Sequence, residues 1–271
     1  MRRTTILRHL AVAAGLGLAG YGAPAIAQTE PVVRCASDVA VAGRRSHAEF
    51  SSHGQTIPSL VYEPRSPNGG AIVLLHGAGG LGADAQRFDH HALQLASRGY
   101  YVMVPDYFAA RRGRAERSDA DITAWSGVGA DAARYVGGLP GADQDRVAIW
   151  GYSLGGFLAT DGAMDSSSPA RIAIGVSTGT DVWRASRDRR ALSVLLIHGR
   201  RDPVIRYNSM LSLAANLRGR GAKVDTVLIA SNQHPIAIDG WCDVFDHTRT
   251  FLDAHLTVPP IETGTQTEIQ P

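Results

Sequence analysis

Apolar residues recur along the chain in short runs: Ala71–Leu75, Tyr101–Val104, Val147–Trp150, Ile172–Val176, Val194–Ile197 and Val224–Ile229. Each run is mostly aliphatic or β-branched and is bounded by turn residues. Runs of this length suit strands buried on both faces, as in a parallel sheet. Between them lie longer stretches with helical spacing, Ala83–Arg98, Asp119–Gly137, Leu154–Met164 and Ser209–Arg220, and Asp246–His255 reads as a closing helix. Ahead of the first run, His47–Ser52 and Ile57–Tyr62 read as two strands joined by the turn His53-Gly54-Gln55, after an irregular lead-in to about residue 45. Strands alternating with helices predict an α/β fold. The expected architecture is a mostly parallel sheet of about eight strands, with right-handed crossovers, helices on both faces and no room for a large lid domain.

The 271 residues suffice for one such domain over residues 28–256. The first 27 read as a signal peptide. Arg2, Arg3 and Arg8 form a basic start, an apolar run follows from Leu10 to about Gly20, and Ala25-Ile26-Ala27 supplies a small-x-small cleavage site. Ala23-Pro24-Ala25 is the alternative cut. A retained anchor is the competing reading, against which stands the shortness of the apolar run. Arg2-Arg3 leaves the choice of export route open. From Thr257 the polar, proline-containing tail is expected to be disordered.

The leader also changes the charge picture. It carries three of the 27 basic residues and no acid, so the mature chain has 24 basic against 25 acidic residues. That balance argues against a nucleic-acid surface, and the localisation expected is periplasmic or extracellular. An oxidising compartment would permit the single pairing open to two cysteines, Cys35 with Cys242. Two unpaired thiols are the alternative.

The strongest chemical signal is Gly151-Tyr152-Ser153-Leu154-Gly155, lying between a strand and an apolar helix. In this context G-x-S-x-G reads as a nucleophile elbow. The chain reverses from strand to helix within about four residues, the glycines relieve crowding, and the serine hydroxyl is lifted clear of the sheet. Such a serine needs a base, and the base an orienting acid, in the chain order Ser, acid, His. Asp202 follows the strand Val194–Ile197, and His234 follows the strand Val224–Ile229, both on loops at strand C-terminal ends. His247 competes with His234 but falls inside the closing helix. His198 is expected to be structural, His76 to brace a loop, and His90 and His91 to lie on a helix surface. The oxyanion hole is assigned to the N–H groups of Leu154 and of Ala78, with Gly79 as the alternative to Ala78.

Gly77-Ala78-Gly79-Gly80-Leu81-Gly82 also matches G-x-G-x-x-G, with Asp106 ending the next strand. A dinucleotide site would leave Ser153, Asp202 and His234 unexplained, whereas a hydrolase explains all four features. There is no metal signature, and no cofactor is expected.

From about Ser59 to Leu256 the chain resembles the dienelactone-hydrolase-like branch of the α/β-hydrolases. The resemblance rests on His76-Gly77, Val104-Pro105-Asp106-Tyr107-Phe108, Gly151-Tyr152-Ser153-Leu154-Gly155-Gly156, and His198-Gly199 with Asp202. It implies cofactor-free hydrolysis of a small-molecule ester or lactone through an acyl-enzyme. Two positions depart from the branch: Ser153 replaces its cysteine nucleophile, and Gly77 stands where its third-strand loop carries a glutamate. The branch also holds a substrate carboxylate with an arginine soon after the Pro-Asp motif, which Arg111 or Arg112 matches with a small shift; the competing reading is a solvated charged loop. A serine peptidase or acyltransferase with the same triad, and a non-catalytic periplasmic binder on the same fold, are the other classes the sequence permits.

Overall fold

The computed structural model describes residues 34–111, 118–180 and 189–256. The leader, the tail from residue 257 and Arg112 therefore lie outside the described residues. The strands are β1 (Arg44–Ser52), β2 (Gln55–Glu63), β3 (Gly69–Leu75), β4 (Tyr101–Pro105), β5 (Ala142–Tyr152), β6 (Ile172–Val176), β7 (Ser193–Gly199) and β8 (Lys223–Ile229). The helices are α1 (Leu81–Ser97), α2 (Asp119–Gly137), α3 (Leu154–Met164), α4 (Tyr207–Gly219) and α5 (Gly240–Leu256), with a 3₁₀ turn over Tyr107–Ala110.

The eight strands form one sheet in the order β1-β2-β4-β3-β5-β6-β7-β8. β1 and β2 make an antiparallel hairpin, β2 joins β4 antiparallel, and every pairing from β4 to β8 is parallel. The period-2 geometry of strands sorts the apolar runs onto two faces. Ala71, Val73, Leu75, Val147, Ile149, Val194 and Leu196 face a core shared with α2, α3 and α4. Ile72, Leu74, Ala148, Trp150, Leu195 and Ile197 face a second core shared with α1 and α5. Helices on both sides explain why these strands carry no polar alternation.

Four expectations are corrected. β8 is not buried on both faces: it is an edge strand, and Lys223, Asp225, Thr226 and Leu228 are exposed because only β7 covers its flank. β5 starts at Ala142 rather than Val147, because a polar extension pairs with Gly69 ahead of a register shift. α5 starts at Gly240 rather than Asp246. Its first turn is held by Trp241, which packs on Phe88 at 5.6 Å and on Tyr152 at 5.1 Å between ring centroids, and by Cys242. His91 is buried, not superficial: it stacks on Phe245 of α5 at 4.2 Å, and burial lowers its pKa to about 4. Its neighbour His90 pairs with Asp38 at 2.7 Å.

Cys35 and Cys242 form a disulfide, with their Cα atoms 5.4 Å apart. It ties the segment before β1 to the first turn of α5. The same segment lies along α1 through hydrogen bonds from Val39 N to Gln94 Oε1 at 2.8 Å and from Ala42 N to Ser97 Oγ at 3.0 Å.

Candidate active site

The parallel strands all end on one side of the sheet, and the loops there carry the chemistry-bearing residues. β5 runs into Ser153, which adopts φ 52° and ψ −118°, a left-handed backbone for a residue with a Cβ. The fold holds this strained turn through Ser153 N–H, which donates to Val176 O at 2.9 Å at the end of β6. It also requires glycine on each side. A Cβ on Gly151 would stand 2.0 Å from Gly155 O, and one on Gly155 would stand 2.2 Å from Leu75 O. The spacing of G-x-S-x-G is thus a packing requirement of a helix pressed against two strand ends.

Ser153, His234 and Asp202 come together from three loops. Ser153 Oγ lies 2.8 Å from His234 Nε2, and His234 Nδ1 lies 2.8 Å from Asp202 Oδ2. A carboxylate only accepts, so Nδ1 carries the ring proton and Nε2 offers its lone pair to the serine hydroxyl. The Asp202 side chain is fully buried and that of His234 is 12% exposed. The other Asp202 oxygen accepts the N–H groups of Val204 at 2.8 Å and Ile205 at 2.9 Å, so the carboxylate is fixed by the loop that carries it. His198, at the end of β7, donates from Nε2 to Ile205 O at 3.0 Å. Burial holds its pKa below the ordinary imidazole value, so it stays neutral 4.0 Å from Asp202. His247 is exposed on α5, within the helix expected from the sequence.

Two stretches of backbone carry the residues expected from the sequence to supply oxyanion donors, the start of α3 and the loop after β3. Gly156 N–H and Phe157 N–H both bond back to Ser153 O, and Leu154, as the first residue of α3, presents its N–H at the open end of the helix. In the loop after β3, Gly77 N–H donates to Asp84 Oδ2 at 2.6 Å and Gly80 N–H donates to Gly77 O at 3.1 Å. Ala78 and Gly79, the two residues named from the sequence, are both exposed in that loop.

Two residues beside the site carried no role in the sequence reading. Tyr152 donates its hydroxyl to His234 O at 2.8 Å while its ring lies 5.7 Å from the His234 ring; burial raises its pKa to about 12, so it remains a donor. Asp84 sits buried in the first turn of α1. Neither belongs to a motif read for function, since x in G-x-S-x-G is unrestricted and Asp84 lies beyond the glycine run. His76 braces the loop as expected: it stacks on Tyr107 at 4.0 Å, and its Nδ1 lies 2.9 Å from Gly77 O. Arg111 is engaged elsewhere. Its Nε–H donates to Asp121 Oδ1 at 2.6 Å, and Asp121 forms the capping box of α2 with Ser118. Among the described residues no group of three or more His, Cys, Asp or Glu side chains could hold a metal ion, and no helix is long and apolar enough to cross a membrane.

A mostly parallel sheet of eight strands with a strained serine between β5 and α3 defines an α/β-hydrolase. Residues 57–241 match the model of the dienelactone hydrolase family, and the chain belongs to that family. A hydrolase of Phaeosphaeria nodorum, phmG, is 31% identical over 127 residues, which cover 44% of this chain and 28% of that protein. Among solved structures, an esterase of Pyrobaculum calidifontis superposes with TM-score 0.63 at 18% identity, covering 79% of this chain and 87% of that one. The acylaminoacyl peptidase of Pyrococcus horikoshii superposes with TM-score 0.60 at 15% identity, covering 81% of this chain. This chain spans 43% of the peptidase and a smaller share of the Phaeosphaeria nodorum hydrolase.

Proposed function

We propose that this protein is an exported serine esterase that cleaves carboxylic esters or lactones through an acyl-enzyme on Ser153. The observation that carries the reading is the continuous chain from Ser153 Oγ through His234 to Asp202, with both contacts at 2.8 Å. His234 Nε2 takes the hydroxyl proton as Ser153 Oγ bonds to the ester carbonyl carbon. The carbonyl oxygen becomes an oxyanion and accepts from Leu154 N–H and Ala78 N–H. Collapse of the tetrahedral intermediate breaks the bond to the alcohol, which leaves with the proton from His234. Water then attacks the acyl carbon and gives His234 a proton, which His234 passes to Ser153 Oγ as the bond to the acyl group breaks, releasing the acid and the free serine. Asp202 holds the ring in the required tautomer and offsets its transient positive charge.

Membership of a hydrolase family and the fold of the esterase neighbour support hydrolysis, and an ester rather than an amide is the step proposed here. The basic and apolar leader supports export, as does a disulfide that suits an oxidising compartment. The test uses p-nitrophenyl acetate, butyrate and octanoate with the protein beginning at Gln28, and a peptide anilide in parallel. Turnover of the esters with a burst of one p-nitrophenol per protein is expected. Release of amine from the anilide without ester turnover would make the protein a peptidase. N-terminal sequencing of protein recovered outside the cytoplasm should start at Gln28; an intact Met1 would contradict export by cleavage.

A further inference from the structure

Asp84 is a buried acid for which the reaction above has no use, and its position is not explained by α1 alone. An acid in the first turn of a helix meets the helix dipole equally well on the solvent side. Asp84 instead turns inward and is 3% exposed; its Oδ2 accepts Gly77 N–H at 2.6 Å, seven residues back. Arg87, on the next turn, supplies the countercharge with Nη1 3.4 Å from Oδ1. Burying a carboxylate is costly unless it is paired and hydrogen-bonded, so this acid is set against the loop rather than placed there by default.

Gly77 is the pivot of the loop after β3, and both its polar groups are held. Its N–H ends on Asp84, and its C=O accepts from Gly80 N–H at 3.1 Å and faces His76 Nδ1 at 2.9 Å. A trans peptide is planar, so the C=O of one residue and the N–H of the next point in opposite directions. With Gly77 C=O turned toward His76 and Gly80, Ala78 N–H is turned away from them. The space beside Gly77 is filled: a Cβ there would stand 3.0 Å from Asp84 Oδ2 and 3.2 Å from the ring of Tyr152, the residue before the nucleophile. The glycine and the acid are thus complementary, one leaving the room that the other occupies.

We propose that Asp84 is the positioning residue for the oxyanion donor. By holding Gly77 N–H it anchors the His76–Gly77 peptide and with it Gly77, whose C=O is held in turn by Gly80 N–H, so that Ala78 N–H of the following peptide faces the oxyanion formed at Ser153. This rests on the esterase reading. Asp84 touches no reacting atom; it acts through Gly77.

The experiment compares the wild type with Asp84→Ala and Asp84→Asn, using the ester substrate that turns over best. Active sites are counted by fluorophosphonate labelling, and the affinity of an alkyl boronic acid, which mimics the tetrahedral intermediate, is measured for each. Loss of a whole oxyanion donor costs about 10²–10³ in turnover, so a misaimed one in Asp84→Ala should cost about 10–100-fold in kcat per labelled site, with KM changed by less than about threefold. Boronate affinity should fall by a similar factor. Asp84→Asn keeps an amide oxygen to accept from Gly77 and should recover most of both. Should Asp84→Ala not fold, Asp84→Leu, which fills the site without an acceptor, carries the same expectation. A purely structural role predicts a lower Tm and fewer labelled sites, with kcat per site and boronate affinity unchanged, and that result overturns the proposal. A wild type that neither turns over esters nor labels would instead overturn the esterase reading, and the inference with it.

Discussion

The two sides of Ser153 are built differently. On one side, the loops after β7 and β8 bring side chains to it: Asp202 and His234 reach the serine through two 2.8 Å contacts. On the other side, the loop after β3 brings only backbone, and its orientation is set from outside by Asp84 and His76. The first arrangement depends on which residue stands at a position. The second depends on which way a peptide plane faces, and almost any residue at Ala78 would present the same N–H. A substitution therefore breaks the first side directly, whereas the second is reached only through the residues that hold it.

The largest effect belongs to the side-chain half. Asp202→Asn keeps the shape but favours the wrong tautomer of His234, and kcat should drop about 10⁴-fold with the fold intact; a drop of less than tenfold would mean that Asp202 does not orient the base. The disulfide region, remote from both halves in its chemistry, serves as the control. Replacing Cys35 and Cys242 together by Ser should cost about 2–5 kcal/mol of stability, read as a lower denaturant midpoint, with kcat of the folded enzyme changed little. A large loss of kcat in the folded variant would mean that the first turn of α5 supports the His234 loop as strongly as Tyr152 does.

His91 gives a prediction in pH. The unfolded chain binds a proton at this imidazole near the ordinary 6.5, while the folded protein binds it only near 4. Between those values the unfolded state holds more protons, so stability is complete above about pH 6.5 and is lost as pH falls toward 4, by at most about 3 kcal/mol. His91→Phe retains a ring against Phe245 and should flatten that part of the stability curve in denaturant titrations. An unchanged slope would show that other groups govern it. The smallest effect falls where the two halves meet. Tyr152→Phe removes the hydrogen bond to His234 O and should cost about 1 kcal/mol, or roughly fivefold in kcat, while the ring keeps its packing over Gly77.

The same division explains what could be read before any coordinates. The strands β3 to β7, the order of helices between them, and Ser153, Asp202 and His234 were legible because apolar runs and side-chain identity leave a trace in the sequence. The edge position of β8 was marked only by Asp225 and Thr226, which interrupt Val224–Ile229 and carry no weight until the strand order leaves that flank open. The early start of α5 was hidden by the turn-forming residues around Gly240, which Trp241 and the disulfide override by packing. His91 looked superficial because helical spacing alone does not tell which helix will cover it, and its partner Phe245 lies on α5, far along the chain. Asp84 was invisible for the reason given at the outset: its partner is a backbone N–H, and no residue type marks that choice.

The account turns on Ser153 being the nucleophile. Incubation of the wild type and Ser153→Ala with a fluorophosphonate, followed by intact mass and peptide mapping, tests this most directly. The wild type should gain one adduct, on Ser153, with ester turnover lost in proportion, and the variant should gain none and show no turnover. An adduct on another serine, or full activity in Ser153→Ala, would contradict the account.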